Sequence, residues 1–318
     1  QRPLKVALTE WLTHLPLPPN LEAPVNVYFV STQGGGIRAA YWTALVLAHL
    51  EGHIDQFQEK TFSISGASGG SIGAATYRAC KLKAPQTNLL ECVQQIGERD
   101  LLTPLLGGWL FEDMLGLFVP TWPCTTPGCG ILNRDAWFEH TLEASVKELH
   151  KPLKASAISN PTTHLPYLLL NSTWMETGER AIASDLLIDS TWFPAAHDQL
   201  SMSGHPLSLS TAAHNSARFP YTNSIGSLYG SAETCHLDPE VKQPSFFIWE
   251  WLSLMMQKIF GKEPSTILCG HLADGGYFDN SAGHTTGDIL RALRIILAAQ
   301  QASTCSPLIG DPHSRDCQ

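Results

Sequence analysis

Two stretches in the first third of the chain share one pattern of apolar runs and glycine-rich turns. In the first, the β-branched and aromatic residues 25–32 predict a strand, a glycine turn follows, and residues 37–50, rich in Ala and Leu, predict a helix. In the second, residues 62–80 repeat the order of buried strand, glycine-rich turn and helix of small residues. Two consecutive βα units bring their turns to the same edge of a parallel sheet, where ligands bind.

The pattern beyond these units continues to mix helices with strands. Helices are predicted over 133–150 and 285–302, a strand over 165–174 with a hairpin partner over 178–183, and a last strand over 265–272. This order predicts an α/β protein.

Two further apolar segments fit no position in such a sheet. Residues 101–122 are interrupted by Pro and Gly, so they form either a cap over the site or an ordinary core segment. Residues 246–260 predict a helix with a very wide apolar face, which is either buried in the core or in contact with lipid. The candidate substrate contacts in these segments are Phe111, Leu115, Phe118, Trp122, Trp249 and Trp251.

Composition narrows the class of protein. The 318 residues are 43% hydrophobic, enough for one large core, and carry a net charge of −9. We expect no nucleic-acid partner, because phosphate binding needs clustered Lys and Arg. The sequence contains no uninterrupted run of about 18 apolar residues, the length needed to span a bilayer. The chain does not begin with Met, which indicates a processed form or an excised domain.

Eight cysteines form an even set of neighbouring pairs along the chain: Cys80, Cys92, Cys124, Cys129, Cys235, Cys269, Cys305 and Cys317. A Cys124–Cys129 bond would close a tight loop, and a Cys305–Cys317 bond would hold the C-terminal tail. This set favours an oxidising, periplasmic or secreted location, whereas the alternative is eight small buried apolar side chains. Without a CxxC pair we expect no zinc or other metal.

Ser68 lies at the second glycine turn, within the spacing Gly66-x-Ser68-x-Gly70. A sharp strand-to-helix turn that exposes a serine hydroxyl leaves no room for side chains two residues before and after it. Ser68 is therefore a candidate nucleophile at a helix N-terminus, where unpaired N–H groups favour negative charge. The competing interpretation is a helix N-cap in an ordinary turn.

The first glycine turn also has two interpretations. Gly34, Gly35 and Gly36 can supply backbone N–H groups to an oxyanion, with Arg38 as an added positive charge. Alternatively, Gly34-x-Gly36-x-x-Ala39 followed by Asp55 resembles a dinucleotide fingerprint. Against a dinucleotide site, Asp55 precedes the second strand instead of ending it.

A serine nucleophile needs a base, and Asp274 follows the last predicted strand and directly precedes two glycines. His284 follows Asp274 too closely for the usual order of a triad, and His313 lies in the tail. The sequence therefore favours a dyad in which Asp274 accepts the Ser68 proton directly. The alternative is a common Asp-Gly turn. His214, in a segment of small residues, is either structural or close to the site.

Three motifs in order, at residues 34–38, 66–70 and 274–276, resemble those of the patatin-like phospholipases and their relatives the cytosolic phospholipases. The resemblance implies a three-layer α/β/α fold with a central, mostly parallel sheet. It also implies a Ser68–Asp274 dyad and ester hydrolysis of lipids without metal or cofactor. Gln33 and Ala39 depart from many members of the family, and Ala39 is closer to the cytosolic phospholipase pattern.

On this resemblance we expect a lipid acyl hydrolase acting on phospholipid, lysophospholipid or acylglycerol esters, with peripheral membrane contact. The expected organisation is a surface arm over 1–24, one patatin-like catalytic domain over 25–302 with a cap-like insertion over about 85–130, and a tail over 303–318. The alternatives from other classes are a dinucleotide-binding oxidoreductase and a catalytically silent lipid-binding module.

Overall fold

The computed structural model describes residues 1–16, 24–83, 88–113, 134–156, 164–203, 205–220, 222–231, 233–235 and 267–304. In these ranges seven strands form one sheet. The strands are β1 (Tyr28–Thr32), β2 (Thr61–Ala67), β3 (Tyr167–Trp174), β4 (Arg180–Ser184), β5 (Ala196–Asp198), β6 (Gly226–Gly230) and β7 (Ile267–Asp274).

Twelve α-helices and two short helices of other types accompany the sheet in the described ranges. The α-helices are α1 (Leu4–Thr13), α2 (Gly36–His53), α3 (Phe57–Lys60), α4 (Gly69–Leu82), α5 (Leu89–Glu98), α6 (Leu102–Gly107), α7 (Arg134–Ser145), α8 (Leu153–Ser156), α9 (Gln199–Met202), α10 (Leu209–Ser216), α11 (Gly276–Asp279) and α12 (Gly283–Thr304). A π-helical turn covers Gly108–Asp113, and a 3₁₀ turn covers Lys147–His150.

The sheet is mixed, and most of its strands run in one direction. Strands β1, β2 and β3 are parallel neighbours, β4 pairs antiparallel with β3, and β5 pairs parallel with β4. Strand β7 also pairs antiparallel with β3, and β6 pairs antiparallel with β7. Four of the seven strands therefore run in the direction of β3, which confirms an α/β class.

Strands β2 and β7 meet end to end along one edge of β3. Ala67, the last residue of β2, pairs with Asn171, and Asp274, the last residue of β7, pairs with the next residue, Ser172. The opposite edge of β3 is occupied by β4 over the same residues. The ends of two oppositely directed strands thus face each other. The two glycine turns themselves follow the parallel strands β1 and β2, as the sequence predicted.

Helices cover both faces of the sheet. On β3, Leu168 and Leu170 pack into a core with α2, α4, α5, α7 and α10, whereas Tyr167 and Leu169 pack with α1 and α12. This alternation is the period of two that a strand buried on both faces produces. The resulting order of layers is helix, sheet, helix.

The N-terminal residues differ from the expected surface arm, because they form a helix with a buried face. Leu4, Leu8 and Trp11 of α1 are at most 4% exposed, and the Trp11 indole N–H donates to the Glu59 carbonyl at 2.9 Å. The apolar positions recur with helical spacing, and the cluster of prolines begins only after this helix. The expected surface arm therefore does not describe Leu4–Thr13, which packs one face into the core.

Several predictions fall outside the described residues: the segment 246–260, residues 114–122 of the apolar segment 101–122 and the tail after residue 304. In the parts of the chain that the structure describes, no helix has both the length and the apolar character needed to cross a membrane.

Two disulfides lie in the described ranges. Cys80–Cys92 joins the C-terminal end of α4 to α5, and Cys235–Cys269 joins the segment after β6 to β7. The proposed Cys124–Cys129 and Cys305–Cys317 pairs lie outside the described residues. Paired cysteines are consistent with an extracytoplasmic location.

The Cys80–Cys92 bond should contribute to stability by restricting the unfolded chain. We expect Cys80→Ala/Cys92→Ala to lower the free energy of unfolding by about 3 kcal/mol, as estimated for a loop of this size. Urea denaturation measures the change. A reductant should lower the urea midpoint of the wild-type protein. A variant as stable as wild type under oxidising conditions would contradict the prediction.

Candidate active site

Ser68 occupies the turn between β2 and α4 in a backbone conformation that is rare for a residue with a side chain. Its φ is 51° and its ψ is −127°, and it directly precedes the first helical residue, Gly69. The flanking glycines are required by close packing. A Cβ on Gly66 would lie 2.8 Å from the Ser71 backbone nitrogen, and one on Gly70 would lie 2.4 Å from the Thr32 carbonyl oxygen.

The Ser68 hydroxyl donates directly to the Asp274 carboxylate. Its Oγ lies 2.6 Å from Asp274 Oδ2, and Asp274 Oδ1 accepts the Gly276 N–H at 2.7 Å. Ser68 is 9% exposed and Asp274 is 4% exposed. Burial raises the pKa of the Asp274 carboxyl above its usual value, and the hydrogen bonds from Ser68 and Gly276 limit that rise.

The backbone of Asp274 is held on both sides. Its N–H donates to the Arg218 carbonyl at 2.9 Å, and its carbonyl accepts the Thr173 hydroxyl at 2.9 Å. Together with the pairing to Ser172, these bonds fix the end of β7 beside the end of β2. The structure therefore brings together the two residues singled out as nucleophile and base.

The glycine loop before α2 lies next to Ser68. Gly35 has a φ of 154° and Gly36 a φ of 61°, and both line the same cleft as Ser68. The first N–H groups of a helix have no intrahelical acceptor, so this end of α2 offers donors.

Two of the four residues expected to stabilise an oxyanion are placed differently. The Gly34 N–H already donates to the Asn280 carbonyl at 2.9 Å, so Gly34 serves as a tether and not as a donor to the cleft. The Arg38 side chain is exposed on the first turn of α2, and Arg38 is not among the residues that line the cleft.

The cleft has a volume of about 540 Å³ and a largely apolar lining. The apolar or aromatic lining residues are Ile37, Ile72, Leu102, Leu105, Phe138, Ala217, Phe219 and Tyr277. Its polar lining consists of Ser68, Asp274, Thr222, Asn223 and Asn280, together with glycine backbone. Phe219 and Tyr277 stack with ring centroids 6.0 Å apart, and both are about half exposed.

The side chains of all six predicted substrate contacts lie outside the part of the chain that the structure describes. Phe111 lies in the π-helical turn, and Leu115, Phe118, Trp122, Trp249 and Trp251 lie outside the described residues. Ile37 and Ile72 were overlooked, although each lies just beyond a glycine turn and its position pointed to the cleft.

His214 is buried in a charged cluster and is not among the residues that line the cleft. Its Nδ1 lies 2.9 Å from Glu139 Oε1, and Arg218 binds Asp135 at 2.6 Å nearby. Burial lowers the pKa of His214 below its ordinary value. The cluster links α10 to α7, which carries Phe138 into the cleft.

The position of Asp55 disfavours a dinucleotide site. Asp55 lies in the turn after α2, whereas the glycine loop precedes α2. A helix of 18 residues is about 27 Å long at 1.5 Å per residue. A carboxylate at that distance is not available to a ribose held by the glycine loop.

Gly69 is the point of closest approach between the two glycine turns, because a Cβ there would lie 2.0 Å from the Gly36 carbonyl oxygen. We expect Gly69→Ala to lower the free energy of unfolding by about 1–3 kcal/mol, the usual effect of overpacking. Gly52→Ala in α2 is the matched control, since a Cβ there meets nothing within 4 Å. Denaturation should find the control as stable as wild type or slightly more so. Equal stabilities for the two variants would contradict this packing.

Comparison with known proteins gives a partial likeness in fold. No family model matches the chain, and no curated protein matches it. Among solved structures, human GIVD cytosolic phospholipase A2 in complex with methyl gamma-linolenyl fluorophosphonate matches with 18% identity and a TM-score of 0.33. The same human protein with that inhibitor and terbium chloride matches with 18% identity and a TM-score of 0.31. Without the inhibitor it matches with 20% identity and a TM-score of 0.31.

In each of these matches the alignment covers 57% of this chain. It covers 24% to 26% of the phospholipase chain. The chain thus spans about a quarter of the length of these structures. At this level the likeness concerns part of the fold and assigns no activity.

Proposed function

We propose that the protein is a serine hydrolase of the patatin-like kind that cleaves carboxylic esters of lipids. The observation that carries this proposal is the 2.6 Å hydrogen bond from Ser68 Oγ to Asp274 Oδ2, in a cleft lined mainly by apolar side chains. No histidine lies among the lining residues that the structure describes. The carboxylate is therefore the group in position to take the serine proton.

In the proposed reaction, Asp274 accepts the proton of Ser68 while Oγ attacks the ester carbonyl carbon. Asp274 gives this proton to the leaving alcohol as the ester C–O bond breaks, which returns the carboxylate to its ionised form, and the acyl group stays on Oγ as an ester. Water, deprotonated by Asp274, then attacks the acyl-enzyme, releases the fatty acid and restores the Ser68 hydroxyl. The bond from the Gly276 N–H to Oδ1 keeps Oδ2 directed at Ser68 throughout.

The tetrahedral oxyanion is assigned to the N–H groups of Gly35 and Gly36. Both residues line the cleft beside Ser68, and a helix N-terminus adds its positive end. A single such donor contributes about 3 kcal/mol to lowering the barrier. Gly34 supports this loop through its bond to the Asn280 carbonyl.

The apolar lining suits an acyl chain. Ile72, Leu105 and Phe138 are buried or nearly so, whereas Ile37 and Leu102 are 41% and 49% exposed. This graded exposure lets an apolar chain enter from an interface and be enclosed as it reaches Ser68. Peripheral contact with a lipid surface is therefore part of the proposal.

Covalent labelling tests the nucleophile. We expect a fluorophosphonate to modify the wild-type protein at Ser68 and to leave Ser68→Ala unlabelled, with peptide mass spectrometry as the measurement. A folded wild-type protein that resists labelling would instead favour a silent lipid-binding module.

Substitution of the base tests the dyad. Asp274→Asn should lower kcat/KM by about 10²–10⁴-fold, the usual contribution of a general base. Asp279→Asn is the matched control, because Asp279 lies on the adjoining α11 and binds Ser281 and His284 instead of Ser68. The rate of hydrolysis of a chromogenic fatty-acid ester gives kcat/KM for both variants. Equal activity of the two variants would remove Asp274 from the mechanism.

The pH profile gives an independent check, because Asp274 acts as a base only when it is ionised. Burial raises its pKa, so kcat/KM should fall as pH is lowered through a midpoint above the ordinary Asp value of 3.8. The activity should be present above this midpoint and lost below it. Steady-state kinetics with an ester whose own hydrolysis is independent of pH in this range measures the midpoint. A midpoint at or below the ordinary value would contradict this environment.

A further inference from the structure

Ser216, the last residue of α10, is fully buried, and its hydroxyl forms hydrogen bonds with three groups. Its Oγ lies 3.0 Å from the Ser68 backbone nitrogen and 2.7 Å from Ser71 Oγ, and it donates to the Asn171 carbonyl. A hydroxyl has one proton to donate and two lone pairs. Because the proton goes to Asn171, both Ser68 N–H and Ser71 O–H are donors to Ser216, and its hydrogen-bonding capacity is complete.

The same turn of chain also binds the residue that carries the base. The Gly275 N–H donates to the Ser216 carbonyl at 2.9 Å, and the Asp274 N–H donates to the Arg218 carbonyl at 2.9 Å. One short segment, residues 216–218, therefore contacts the backbone on both sides of the Ser68–Asp274 hydrogen bond.

Ser68 needs such support because its φ of 51° is unfavourable for a residue with a side chain. A hydrogen bond from the Ser68 N–H restrains rotation about the N–Cα bond. It therefore also restrains the direction of Cβ and Oγ. Donating to Ser216 also takes the Ser68 N–H away from the oxyanion, which leaves that task to the glycine loop.

We propose that Ser216 is a positioning residue that sets the distance and direction between the nucleophile and its base. This inference rests on the proposed ester hydrolysis, and it adds a residue that touches neither the substrate nor the reacting atoms. Ser216 acts through the Ser68 backbone and through the turn at Gly275. Its loss changes the rate of attack more than the binding of substrate.

A second buried serine on the same helix provides the matched control. Ser210 is also fully buried, but its hydroxyl binds Ser208 and Glu143 at 2.7 and 2.6 Å, away from the dyad. Ser216→Ala and Ser210→Ala each remove one buried hydroxyl from α10. Any general effect on folding is therefore shared, and the effect on catalysis is not.

The experiment compares stability, kcat, KM and the rate of fluorophosphonate labelling for the two variants. We expect Ser216→Ala to lower kcat and the labelling rate roughly 10²-fold at an unchanged KM, since a small misplacement of reacting groups has that effect. Ser210→Ala should keep kcat within about 2-fold of wild type. If Ser216→Ala has the kcat of the control, the positioning role is wrong.

Should Ser216→Ala fail to fold, Ser216→Cys decides, because a thiol fills the site but is a weak acceptor. A reduced kcat with wild-type KM supports the role, and a wild-type kcat overturns it. Labelling of the wild-type protein keeps the two proposals apart. If wild type is not labelled, ester hydrolysis fails, whereas a labelled wild type with an equally fast Ser216 variant refutes only the present inference.

Discussion

The site depends on the end-to-end meeting of β2 and β7 along one edge of β3. Each strand by itself would only present a turn, but their pairing with the consecutive residues Asn171 and Ser172 places Ser68 and Asp274 side by side. Asn171 also braces this junction through its side chain, which donates to the Gly66 carbonyl at 2.7 Å and accepts from Thr285 at 2.6 Å. Backbone pairing thus brings the two residues side by side, and side-chain hydrogen bonds at the junction then orient them.

The site also requires a close approach between the helices that follow the two glycine turns. Small residues allow this approach. A Cβ on Gly73 would lie 2.4 Å from the Ala40 carbonyl, just as one on Gly69 would meet Gly36. Helices α2 and α4 therefore pack with their backbones nearly touching, and their N-termini end beside the same cleft. The glycines serve packing as much as turn formation, which explains why they extend beyond the turns into the first helical residues.

The sequence was sufficient for the local units and for the identity of the paired groups, but not for their three-dimensional arrangement. Periodicity located the βα units, because apolar spacing and glycine turns are local signals. The direction of β7 was not available from its own residues, since strand orientation is decided by long-range pairing. Likewise, Ser216 and Asn280 act through long-range bonds, namely to Ser68 and, through the Asn280 carbonyl, to the Gly34 N–H. A buried serine in a small-residue helix carries no pattern that separates it from Ser210. The helical spacing of Leu4, Leu8 and Trp11 is present in the sequence, but the neighbouring prolines favoured a different interpretation.

A carboxylate is an unusual base for a serine, and the surroundings of Asp274 are consistent with the role proposed for it. An exposed aspartate is too weak a base to take a proton from a hydroxyl. At Asp274, desolvation is the main cause that raises the pKa, and a higher pKa means a stronger base. The cleft that would receive an acyl chain is largely apolar, so substrate binding would displace water from around the carboxylate. Loss of that water would destabilise the charged form further and would make Asp274 a stronger base with an ester in place. In the proposed enzyme, the groups that bind the lipid would therefore also help to activate the nucleophile, which explains how two residues can act without a histidine between them.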